Sequence, residues 1–174
     1  MILLLLGGTH VSNKRWIERV STSFQDKPYS NQILYYDHWQ SGNETIDFQK
    51  ELNKLLKLTA NLKNYLIFAK SVGVLLVLKA VYQGKLDPKR CVFVGTPVFW
   101  AHDRGYDVDK WLRGFSVPTL FIQESQDPFI EATGLKKKLK GLNVKNYQFE
   151  EVPGNTHNYS HIAKIRKLSS FLFS

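Results

Sequence analysis

Hydrophobic and polar positions divide the chain into short apolar runs separated by amphipathic stretches. ILLLLG (2–7) is a continuous apolar run, as expected of a strand covered on both faces. QILYYD (32–37), NYLIFA (64–69), RCVFVG (90–95), VPTLFIQ (117–123) and KNYQFEEV (145–152) are predicted as five further strands. Between them, Trp16, Ile17, Val20 and Phe24 recur at helical spacing over 13–24, and Ile46, Leu52, Leu55, Leu56 and Thr59 form a stripe over 45–59. Further helices are predicted over 72–84, 106–113, 130–142 and 161–173. The segment 72–84 is apolar almost throughout and ends at Gly84, so it predicts a buried helix, although valine and leucine suit either state.

Six strands alternating with six helices imply a single-domain α/β three-layer sandwich over residues 1–174. A mainly parallel sheet with helices on both faces follows, because each parallel connection needs a crossover. Such sheets bind ligands beyond the carboxyl ends of their strands, so chemistry is sought there. Those ends read Gly7-Gly8-Thr9-His10, Asp37-His38-Trp39, Lys70-Ser71-Val72-Gly73, Gly95-Thr96-Pro97, Glu124-Ser125-Gln126-Asp127-Pro128 and Pro153-Gly154-Asn155-Thr156-His157.

Charge and composition narrow the function classes. The net charge of +9 allows an anionic partner, but the lysines are spread through every amphipathic segment. The cluster LKKKLKGL (135–142) reads as the solvated face of a helix, so no nucleic-acid partner is expected. MILLLLGG has no basic flank and is too short to span a bilayer, which points to a cytoplasmic protein without a membrane partner, as monomer or homodimer. The single cysteine, Cys91, opens an apolar run and is expected as a small buried hydrophobe.

Ala69-Lys70-Ser71-Val72-Gly73 resembles the nucleophile elbow of α/β-hydrolase fold serine hydrolases, with alanine at the first small position. The order serine, acid, histidine is matched by Ser71, Asp127 and His157. The turn after the first strand is similar to the family's first active-site loop, and VPGNTHNYSH to its histidine loop. The resemblance implies a minimal α/β-hydrolase fold without a lid domain or first antiparallel hairpin, since about 20 residues separate the strands at 90–95 and 117–123. It further implies a Ser71–His157–Asp127 triad and an oxyanion hole from the backbone N–H groups of Thr9 and Val72. The expected activity is hydrolysis of small carboxylic esters with no cofactor; thioesters, lactones and amides use the same apparatus.

Other readings stand beside it. Ser71 also suits an N-cap, Glu124 is a minor rival to Asp127, and His161 competes with His157, which is favoured because it directly follows the turn. His10, Phe99, Trp100, Phe129 and Tyr159 are candidates for contact with substrate. His38 reads as a loop histidine, Lys70 as a structural or solvated cation. His157 and His161 have i, i+4 spacing but lack the accompanying glutamate of the zinc protease motif, so no metal site is expected. A non-catalytic binding protein on the same framework is the rival class, and a phosphate binder using GGTH lacks the usual glycine spacing and lysine.

Overall fold

The computed structural model describes residues 1–26, 29–42 and 45–173. Six parallel strands, β1 (Ile2–Leu6), β2 (Ser30–Leu34), β3 (Tyr65–Lys70), β4 (Arg90–Val94), β5 (Thr119–Glu124) and β6 (Tyr147–Val152), form one sheet in the order β2-β1-β3-β4-β5-β6. Every residue of β3 and β5 is buried, whereas the edge strand β6 is half-buried or exposed at every position except Val152. The continuous apolar runs therefore mark the strands covered on both faces.

The helices are α1 (Ser12–Ser23), α2 (His38–Ser41), α3 (Phe48–Thr59), α4 (Val72–Tyr82), α5 (Val98–His102), α6 (Val108–Leu112), α7 (Ala132–Gly141) and α8 (Ile162–Leu168). The chain moves outward from β1 to β2 and then crosses back past β1 to β3. With right-handed crossovers, this reversal puts α1 on one face and α3 and α4 on the other. α8 joins α1, and α6 joins α4. The reversal opens a crevice between the carboxyl ends of β1 and β3, where a ligand site is expected in such a sheet. The loop Gly7–Val11 and the turn at Ser71 face each other there.

α4 follows the turn at Ser71 and is buried at eight of its eleven positions. Gly73 lets it approach β1: a Cβ there would lie 2.7 Å from the Cβ of Leu6 and 3.0 Å from the carbonyl of Gly7. The Gly73 N–H donates to that same carbonyl at 3.2 Å. The core runs continuously from Leu3–Leu6 through Ile67, Phe68 and α4 to Phe93 and Phe121.

The chain departs from the predicted elements in several places. β2 ends at Leu34 rather than at 37, because Tyr36 turns inward, packs at a tilt against Trp39 at 4.5 Å and donates from its hydroxyl to the Gly7 carbonyl at 2.9 Å. α2 and α5 occupy segments without predicted helices. The helix predicted over 161–173 is split into α8 and a 3-10 turn at Ser169–Phe173. Among the described residues no helix is long and apolar enough to cross a membrane.

Candidate active site

Ser71 sits between β3 and α4 with φ 54° and ψ −122°. This positive φ is costly for a side-chain-bearing residue and persists only where the surroundings impose it. Here the Ser71 N–H donates to Val94 O at 2.9 Å, the Val74 N–H donates to Ser71 O at 2.9 Å, and Gly73 is bound to Gly7. The serine hydroxyl makes no capping bond to α4. It lies instead 2.9 Å from Nε2 of His157. The N-cap reading therefore fails on geometry.

His157 Nδ1 lies 2.6 Å from Asp127 Oδ2. A carboxylate only accepts, so Nδ1 carries the proton and Nε2 of the neutral ring presents its lone pair to the serine hydroxyl. Asp127 is 1% exposed and accepts two more bonds, from the Tyr159 hydroxyl at 2.7 Å and the Phe129 N–H at 2.9 Å. Burial, and secondarily the charge of Asp127, push the Tyr159 phenol well above its ordinary value, so it remains a donor.

The histidine loop is strained twice, with φ 63° at His157 and 54° at Tyr159. Glu124 holds it. One carboxylate oxygen accepts from the N–H groups of Thr156 and His157 at 2.9 Å each, and the other from Tyr159 at 3.1 Å. Glu124 thus binds the backbone that carries the imidazole, while Asp127 meets the ring itself. His161, the other candidate base, stands exposed at the N-terminus of α8.

The Gly7–His10 turn is fixed from outside. The Thr9 carbonyl accepts from His38 Nε2 at 2.6 Å and Trp39 Nε1 at 3.1 Å, so buried His38 is a brace for this loop. Among the described residues, the N–H groups of Thr9 and Val72 donate to no protein acceptor. Val72 is fully buried, which makes its unused donor unusual.

Thr9, His10, Trp100, Ile46, Tyr106 and Arg104 help line an adjacent cleft of about 670 Å³. The other expected substrate contacts are arranged differently. Phe99 is 52% exposed, and Phe129 stands edge-on to the His157 ring at 4.6 Å. Tyr159, expected against substrate, is 2% exposed and supports Asp127 from behind, because both its N–H and its hydroxyl are drawn to buried carboxylates. Cys91 is buried in β4, and burial pushes its thiol well up, away from the reactive thiolate.

The structure brings Ser71, His157 and Asp127 together as the sequence order suggests, and sequence reasoning missed the side chains that hold them there. Tyr159 as a donor to Asp127, Glu124 as the loop anchor, and the contact of Lys70 with Asn13 at 2.7 Å all span more than 30 residues of chain. No local spacing announces them.

No family model matches the sequence, and no curated protein matches it. Solved structures do. An alpha-beta serine hydrolase homologue from Coxiella burnetii superposes with a TM-score of 0.74 at 14% identity, over 97% of this chain and 82% of that one. The Pyrococcus furiosus esterase Pf2001 gives 0.71 at 12% identity, over 99% and 83%. A Bacillus cereus protein gives 0.72 at 14% identity over 99% of this chain, which spans only 60% of that protein's length. The chain has the α/β-hydrolase fold.

Proposed function

We propose that this protein is a serine hydrolase of small carboxylic esters, working as a single domain through an acyl-enzyme. The observation that carries the reading is the unbroken relay from Ser71 Oγ through His157 to Asp127, at 2.9 and 2.6 Å, beginning on a serine held at positive φ. Ser71 attacks the acyl carbon as His157 Nε2 takes its proton, and Asp127 steadies the imidazolium. The free N–H groups of Thr9 and Val72 receive the charge that develops on the carbonyl oxygen. Collapse expels the alcohol, which takes the proton back from His157. Water then gives a proton to His157 and attacks the acyl-enzyme, and the acid leaves as Ser71 Oγ takes that proton back from His157.

Nucleophile, base and electrophilic donors all come from the chain, so the reaction needs no cofactor. The open cleft beside Thr9 and His10 suits a small acyl or alcohol group in the cytoplasm. The test is labelling with a fluorophosphonate at neutral pH, alongside Ser71→Ala. Wild type is expected to label, and the variant to lose label and at least about a thousandfold in kcat. A folded wild type that stays unlabelled removes the hydrolase reading and leaves the non-catalytic one.

A further inference from the structure

Lys70 ends β3, one residue before the nucleophile, and is 3% exposed. A buried ammonium is costly unless a carboxylate meets it, and for stability alone an apolar side chain of similar size serves as well or better. Among the described residues no carboxylate forms an ion pair with Lys70. Its Nζ lies over the rings of Trp16 at 5.2 Å and Tyr159 at 5.9 Å, and donates to Asn13 Oδ1 at 2.7 Å.

Asn13 shows where that contact leads. Its Nδ2 donates to the His10 carbonyl at 3.1 Å, and its backbone N–H reaches the same carbonyl at 2.8 Å. The orientation of the amide is fixed, since the ammonium can only donate and the carbonyl can only accept. The amide also lies against Gly8, where a Cβ would come within 2.9 Å of Asn13 Cγ. Lys70 is therefore connected through one side chain to both neighbours of Thr9.

We infer that Lys70 is a positioning residue: acting through the Asn13 amide, it holds the Gly7–His10 turn at the spacing from Ser71 that brings the Thr9 N–H to the oxyanion. This rests on the serine hydrolase reading of the site. The strut joins the strand end that carries the nucleophile to the loop that carries a donor. Neither Lys70 nor Asn13 touches the reacting atoms.

A pH dependence follows. Burial lowers Lys70 to about 8, against the opposing pull of Asp127 and Glu124. These carboxylates, the Asn13 amide and the rings of Trp16 and Tyr159 are the groups that face it, and Tyr159 stays protonated through this window. Loss of the proton turns a charge-assisted bond to Asn13 into a weaker neutral one, so kcat falls as pH rises through about 8. Stability moves the other way. Between about 8 and the ordinary 10.5, the unfolded chain holds more protons at this residue than the folded one, so the contribution of Lys70 to stability rises with pH.

The experiment measures kcat and KM for para-nitrophenyl acetate from about pH 6 to about pH 10 in wild type, Lys70→Met and Asn13→Asp, with thermal melts and fluorophosphonate labelling. Lys70→Met is expected to lose about tenfold to a hundredfold in kcat with KM within about twofold, to lose the alkaline fall, and to melt no lower than wild type. Asn13→Asp keeps the contact with Lys70 but cannot donate to His10, so the same loss of kcat is expected in a folded protein. It carries the test alone if Lys70→Met does not fold. Hydrogen exchange at Gly8–His10 should quicken in both. Wild-type kcat or unchanged exchange in a folded variant overturns the inference while leaving the hydrolase reading intact. An unlabelled, inactive wild type overturns the hydrolase reading and this inference with it.

Discussion

The Ser71 turn and the histidine loop both hold residues at positive φ, but they are held by different means. Ser71 is fixed by its own backbone bonds to Val94 and Val74, by the bond from Gly73 to Gly7, and by the close approach of α4 to β1 at Gly73. His157 and Tyr159 are fixed by the side chain of Glu124, which accepts three backbone N–H groups from the loop. Packing of backbone on backbone has little slack, because the interior is close-packed and cannot relax around an added atom. A loop tied to one carboxylate keeps its shape only while that carboxylate accepts every bond. The same strain therefore rests on many weak constraints in one region and on one residue in the other.

The largest expected effect separates the two buried carboxylates. Asp127→Asn puts an amide against His157 Nδ1, favours the wrong tautomer and should lower kcat by about a thousandfold or more. Glu124→Gln leaves the relay intact but presents an NH₂ to a backbone donor, so about tenfold to a hundredfold is expected, through a displaced imidazole. Equal losses in the two variants, measured as kcat for para-nitrophenyl acetate, would mean that Glu124 acts on the ring and not on the loop.

Next comes a break in the elbow itself. Gly73→Ala places a Cβ 2.7 Å from that of Leu6, and neither β1 nor α4 can yield without moving Ser71. The expected cost is about 1–3 kcal/mol in urea unfolding, as for an overpacked core. Because the shift is transmitted to the nucleophile, kcat should fall as well. A variant of unchanged stability would show that the contact at Gly73 is looser than these distances imply.

The difference between the two regions also decided what could be read from the sequence. The elbow is encoded locally: Ala69, Ser71 and Gly73 lie within five residues, and the packing that demands small side chains acts on those residues. The four inner strands, β1, β3, β4 and β5, were legible for the same reason, since each buried run is its own signal. The histidine loop was legible only in outline. Pro153-Gly154 marked a turn and His157 followed it, but the Glu124 side chain lies 32 to 35 residues from the groups it binds. Tyr36 misled in the opposite sense, because an aromatic that continues a strand pattern can equally leave the sheet to anchor a neighbouring loop. Lys70 was an oddity in one dimension, and its meaning needed Asn13, 57 residues away.

The smallest expected effect tests whether the loop also supports the acid directly. Tyr159→Phe removes the hydroxyl that donates to Asp127 Oδ2 and accepts from the Glu124 N–H, but keeps the ring that packs edge-on against His157. A lost bond to a charged acceptor costs about 1.5–3 kcal/mol, and here the cost is shared between folding and catalysis. With His157 and Phe129 still bonded to Asp127, the carboxylate keeps two of its three donors. Loss of about threefold to tenfold in kcat is expected, with a melting temperature a few degrees lower. A drop as deep as that of Asp127→Asn would show that the tyrosine, and not Glu124, is the principal restraint on the relay. No change in kcat would confine the hydroxyl to holding the buried end of β5.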